Sequence, residues 1–196
     1  MYNSSIKLSS QVKCAIGEMY VTMQLLLLGH NVANTNFTVK NTAYYDLLCQ
    51  KNGSRKAYPI QVKTTFNDSF RTGLTHDDFM DNDGYFDEIK GRKRTEEKVQ
   101  CSWAFVLVDG AEITPLYKIF VLTRQQVIDL IFESEYWYLT DCGRVKPDVS
   151  RKGTVDIIPL WLEGGTKKAT SLHTNIFQNP LKGLSLVNRW ENIWVD

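Results

Sequence analysis

The chain has 196 residues, 43% hydrophobic and 23% charged, which suits one domain able to bury a real core. Its net charge of +1 gives no overall basic surface, so nucleic-acid contact would have to rest on local clusters. No apolar run approaches the ~18 residues of a membrane span, and the N-terminus lacks a secretory pattern. The four cysteines, Cys14, Cys49, Cys101 and Cys142, form no CxxC pair, which argues against a zinc site. A soluble, cytoplasmic protein with reduced thiols is expected.

Residues 9–28 read as a helix capped by Ser9 or Ser10 and ended by Gly29. Val12, Ala15/Ile16, Met19, Met23 and Leu26/Leu27 recur at three- to four-residue spacing and predict its buried stripe. Glu18 borders that stripe; on its own it reads as a solvated helix-edge acid. A turn and short strand begin at Gly29–Ala33, and strands are predicted at 43–49 and 58–65.

Asn52-Gly53 between those two strands is a strong hairpin signal. Placing it at the turn centre sets Lys51 against Ser54, Asp46 against Pro59, Tyr44 against Gln61 and Thr42 against Lys63. Paired residues share a face, as do i and i+2, so Asp46, Gln61 and Lys63 fall on one side, and Leu47, Ile60 and Val62 on the other. Asp46 and Gln61 are then diagonal neighbours with Cβ atoms roughly 7 Å apart. Oxygen-bearing side chains at that separation can share a cation with bonds of about 2.0–2.1 Å, the Mg²⁺ value. A three-residue loop would shift the pairing by one and turn Gln61 away from Asp46.

Residues 66–98 are sparse in apolar side chains, acidic first and basic later, and read as a solvated loop or short helix. Asp81-Asn82-Asp83-Gly84 fails as a calcium loop: with Gly84 at loop position six, Lys90 stands where the bidentate Glu belongs. The alternative reading is a mobile insertion whose basic end, Arg92, Lys93 and Arg94, touches phosphates. Residues 101–109 are continuously apolar, as in a strand covered on both faces. Tyr117–Leu122 is another strand, and Thr123-Arg-Gln-Gln126 opens a helix with a capping box. Residues 134–183 are aromatic and basic, with Arg151 and Lys152 a second candidate nucleic-acid contact. Trp137 and Trp161 read as core, with base stacking the alternative. His30, His76 and His173 read as structural or surface residues. Leu186, Val187, Trp190, Ile193 and Trp194 predict a terminal docking helix. Without repeats or linkers, residues 1–196 form one domain, with a core over about 9–130 and an extension over 134–196.

The order helix with Glu18, strand, strand with Asp46, strand with Gln61-Val62-Lys63, helix resembles the PD-(D/E)XK nuclease superfamily over about residues 9–130. Asp46 precedes Gln61 by 15 residues and Lys63 stands two beyond it, as in the family's motif. Gly17-Glu18 is similar to the family's extra acidic position. Tyr45 stands where the family has Pro, and Gln61 replaces the usual acid, which removes one negative charge. The resemblance implies a restriction-endonuclease-like α/β/α sandwich around a central mixed β-sheet. It implies a Mg²⁺-dependent endonuclease acting on DNA, with Mn²⁺ as a substitute metal and no small-molecule cofactor. Asp46, Gln61, Glu18 and the Val62 carbonyl would be metal ligands. Lys63 would orient or deprotonate the attacking water, or stabilise charge developing on the phosphate. RNA as substrate, a homodimer, and a non-catalytic nucleic-acid-binding or protein-interaction module on the same fold are the further expectations.

Overall fold

The computed structural model describes residues 9–37, 44–66, 69–109, 116–141, 153–166 and 176–195. Arg151, Lys152, Cys142, His173 and Thr42 lie outside the described residues. The fold is mixed α/β. Helix α1 (Ser10–Leu27) is followed by strands β1 (Asn31–Asn34), β2 (Leu47–Gln50), β3 (Ala57–Thr65) and β4 (Phe70–Thr75). Then come α2 (Glu88–Lys98), β5 (Ser102–Asp109), β6 (Leu116–Leu122), α3 (Arg124–Asp141), β7 (Thr154–Ile157) and the single turn α4 (Pro159–Leu162).

A five-stranded sheet runs β1-β2-β3-β5-β6. Strands β3 and β5 are parallel and the other neighbours antiparallel. One sheet face packs Leu47, Cys49, Ile60, Val62, Ala104 and Val106 against Val21 and Leu25 of α1. The other packs Trp103, Phe105, Phe120 and Leu122 against α3 and a second, two-stranded sheet of β4 and β7. The apolar run of β5 is thus covered on both faces, as its composition requires. The predicted capping box holds: Thr123 N donates to Gln126 Oε1 (2.9 Å) and Gln126 N to Thr123 Oγ1 (3.2 Å).

Three expectations need correction. The stripe on α1 faces outward: Val12, Met19, Met23, Leu26 and Leu27 are exposed, and Gly17, Glu18, Val21 and Leu25 are buried instead. The cause is Gly17. A Cβ there would stand 1.8 Å from Thr64 Oγ1, so only glycine lets the helix approach β3 on this side. Residues 66–98 do hold a short helix, α2, but they also hold a core strand, β4, that the loop reading did not expect. Phe70, Thr72 and Leu74 alternate inward along β4, with the Thr72 hydroxyl donating to the Val155 carbonyl (2.7 Å). Finally, the C-terminal segment docks without an α-helix. Leu186, Trp190 and Ile193 are buried, but the chain turns at Asn188 (φ 54°) and closes in a 3-10 turn at Trp190–Trp194.

Candidate active site

The hairpin sets the geometry. Asn52-Gly53 is the turn centre: Ser54 N donates to Lys51 O (2.9 Å) and Gly53 has φ 78°. Arg55 and Lys56 then stay out of the ladder, with Lys56 N held by Ser54 Oγ (3.0 Å). Pairing starts only at Gln50–Ala57 and runs to Leu47–Ile60. The register is therefore two residues beyond the simple two-residue hairpin. A slip of two preserves every face. Leu47, Ile60 and Val62 remain together in the core. Asp46, just before β2, meets the Gln61 side chain directly.

The Asp46 carboxylate is held from three sides. Oδ2 accepts from Val62 N (2.7 Å) and from the Gln61 amide, and Oδ1 accepts from Asn36 Nδ2 (3.1 Å). Its backbone is pinned as well. Asp46 N donates to Ile60 O (2.9 Å), and Thr35 reaches the Asp46 carbonyl through its N–H (2.9 Å) and its hydroxyl (2.8 Å). Thr35 and Asn36 belong to a 3-10 turn, Thr35–Phe37, that follows β1.

Glu18 joins this group from α1 because the tight Gly17 contact turns the adjacent side chain inward. It is 9% exposed. Asn34 Nδ2 donates to its Oε2 and Asn36 Nδ2 to its Oε1, both at 3.0 Å. One amide nitrogen, Asn36 Nδ2, thus bridges Glu18 and Asp46. Burial raises the Glu18 pKa; the two asparagine hydrogen bonds oppose this and the Asp46 charge adds to it.

Lys63 lies on the Gln61 side of β3, with Nζ 4.9 Å from the centre of the Trp103 ring. It makes no hydrogen bond or ion pair among the described residues. Burial lowers its pKa, partly countered by Asp46 and reinforced by the Lys98 ammonium. The Cys14 thiol, one turn before Glu18 and exposed, feels Glu18, Asp46 and Lys63 electrostatically. The buried Cys101 thiol is pushed up to about 12.

Glu18, Asp46, Gln61 and Lys63 therefore converge from α1, the start of β2, and β3. Sequence reading missed Asn34, Thr35 and Asn36. The only signal was a polar Asn-Thr-Asn run after a short strand. Among the described residues no group of three or more His, Cys, Asp and Glu side chains is arranged to hold a metal ion. Any cation would depend on two carboxylates and on amide or main-chain oxygens.

Of the basic candidates that are described, two are paired with acids outside this group. Arg92 meets Asp129 (3.5 Å) and lies over the Phe132 ring (4.2 Å), so it ties α2 to α3. Arg94 pairs with Glu97 (3.1 Å), and Lys93 is exposed. Trp137 and Trp161 are buried against Phe177, which removes them as stacking platforms. His76 is paired with the buried Glu135. No helix among the described residues is long and apolar enough to cross a membrane.

No protein-family model, curated protein or solved structure matches the chain.

Proposed function

We propose that the chain is a divalent-metal-dependent endonuclease on a restriction-endonuclease-like α/β/α sandwich, acting on DNA. The observation that carries the reading is the shared amide. Asn36 Nδ2 sits between two carboxylates at 3.0 and 3.1 Å, where a positive group is needed to offset their repulsion. The donor set fits a hard cation. Mg²⁺ takes oxygen ligands and is commonly held by one or two carboxylates plus substrate phosphate and waters.

When bound, such a cation polarises a phosphoryl oxygen and lowers the pKa of a coordinated water. Asp46 and Glu18 would hold it. Asn36 and Gln61 would turn their amides to present oxygen instead of N–H, a rotation that costs only the hydrogen bonds being replaced. The Val62 carbonyl is a further donor by resemblance to the family. Lys63, half-buried and without an acceptor among the described residues, would offer its ammonium to phosphate oxygens or to the attacking water. Its lowered pKa makes proton exchange with that water easier than for a surface lysine.

A second reading has one observation in its favour. Gln61 and Asn36 already satisfy the carboxylates by hydrogen bonding, as in a structural polar cluster. On that reading the protein is a non-catalytic binding module.

The test uses supercoiled DNA, linear DNA and single-stranded RNA, with Mg²⁺, Mn²⁺ or EDTA, for the wild type, Asp46→Ala and Lys63→Ala. Metal-dependent strand cleavage lost in both variants supports the nuclease, and the preferred polymer names the substrate. Binding without cleavage supports the module. Equal cleavage by all three proteins would remove the site.

A further inference from the structure

Helix α1 is apolar on two faces. Gly17, Val21 and Leu25 pack inward. On the outside Val12 is 44% exposed, Met19 62%, Met23 45%, Leu26 53% and Leu27 76%. Val12, Ile16, Met19, Met23 and Leu26 follow alternating steps of four and three, and Leu27 flanks the last of them. That is the a/d seam of a heptad repeat, the pattern that lets one helix take another helix knobs-into-holes. A helix apolar all round is normally a buried one.

We propose that this face is an interface between two copies of the chain, with α1 packed on α1 across a two-fold axis. The charges favour this occupant. The charged residues of α1 are Lys13 and Glu18; Glu18 is turned inward, and Lys13 Nζ lies 5.6 Å from the Phe66 ring centre. Two copies therefore meet without opposing like charges. A nucleic acid or an anionic membrane would need cations on this face, and the seam carries none. The helix ends also fit. Ser9 caps the first turn, but that turn has no acid and the last turn no base, so neither end of the macrodipole meets a compensating charge on α1. Antiparallel pairing sets each positive end beside the partner's negative end. Isologous contact satisfies both copies at once.

The area sets the strength. Eighteen residues make a helix about 27 Å long, and one such face gives roughly half of the ~800 Å² per partner of a standard interface. Apolar surface continues past the helix in Leu28 and Val195, the latter following Trp194, which packs edge-on to His30 at 5.0 Å. A dissociation constant of about 1–100 μM is expected rather than an obligate dimer. This inference is independent of the proposed activity. If both hold, a dimer carries two sites, each on the sheet side of its own α1.

The experiment is sedimentation equilibrium of the full chain from about 1 to about 300 μM, a span chosen to bracket that constant. Wild type should move from one chain to two. Met19→Glu/Met23→Glu should remain one chain, with association weakened at least 30-fold and an unchanged far-UV circular dichroism spectrum. Both side chains are solvated in the single chain, so folding should survive. If the double glutamate loses its spectrum, Met19→Gln/Met23→Gln takes its place. A wild type that stays monomeric throughout, with or without binding to anionic lipid vesicles, overturns the proposal. So does a folded variant that pairs as tightly as wild type.

Discussion

The Asp46 carboxylate accepts hydrogen bonds from both the Gln61 side chain and the next backbone N–H along β3, that of Val62. Gln61 thus spends its side-chain amide on the neighbouring carboxylate. On the proposed metal-dependent reading, stability without metal and metal affinity pull in opposite directions at this position.

Gln61→Glu should separate the two. It removes a donor to Asp46 and adds a like charge, which should cost about 1–3 kcal/mol at neutral pH without metal. A divalent ion should then recover more stability than in wild type, about 2.7 kcal/mol at a concentration 100-fold above its dissociation constant. Urea melts of both proteins with EDTA and with Mn²⁺ measure this. An identical metal response in the two would remove Gln61 from the cation's neighbourhood.

Asn36→Ala leaves Glu18 and Asp46 without their shared donor. A loss of about 1–2 kcal/mol is expected at pH 7. The Glu18 pKa, already raised by burial, should rise further. A carboxylate with a raised folded pKa contributes stability in acid and loses it as pH climbs through that pKa. The variant should therefore be closer to wild type near pH 4–5 than at pH 7. A deficit that is equal at both pH values would count against a Glu18–Asp46 contact of this kind.

Lys63→Met should stabilise the protein while abolishing any metal-dependent cleavage. A lysine whose folded pKa is depressed costs stability wherever it is held charged, and the cost is relieved as pH rises through the folded value toward the ordinary 10.5. The gain should be on the order of 1 kcal/mol at pH 7 and shrink in alkali. Denaturant titration at several pH values reads it. A destabilised Lys63→Met would mean that the packing of the Lys63 stem on Trp103 outweighs the buried charge.

Signals that are local in sequence were readable. Asn52-Gly53 turns the chain, Thr123 and Gln126 cap α3, and the run after Cys101 is a doubly covered strand. The common face of Asp46, Gln61 and Lys63 survived a wrong register because the slip was even. What failed depended on distant partners. Two apolar faces compete on α1, and only the approach of Gly17 to Thr64, far along the chain, decides which is inside. Asn34 and Asn36 gain meaning from Glu18, an earlier helix residue. Thr72 passes as a core residue because Val155 supplies its acceptor. The terminal apolar pattern at 186–194 had helical spacing, but Asn188 breaks it and the Asn192 amide is spent on the Val121 carbonyl (2.6 Å).

The His76–Glu135 pair joins the turn after β4 to α3, and its chemistry predicts a pH effect on the fold away from the candidate site. Glu135 is 3% exposed, and its ring partner also stacks on Tyr138 with centroids 5.0 Å apart. Burial alone would lower the His76 pKa; the hydrogen bond and charge of Glu135 outweigh it and raise the value above 6.5. The stabilisation from this pair is fully present below pH 6.5 and lost as pH rises through the raised folded value. Burial raises the Glu135 pKa too, with His76 opposing, so this acid also favours the fold more at low pH. Wild type should gain over Glu135→Gln below about pH 6.5, and the two stability curves should approach each other as pH rises above it. His76→Ala strands a buried carboxylate and should cost about 3–5 kcal/mol at neutral pH. Chemical denaturation across this range checks all three proteins, and a wild-type advantage that grows with pH would show that the histidine is neutral in the folded state.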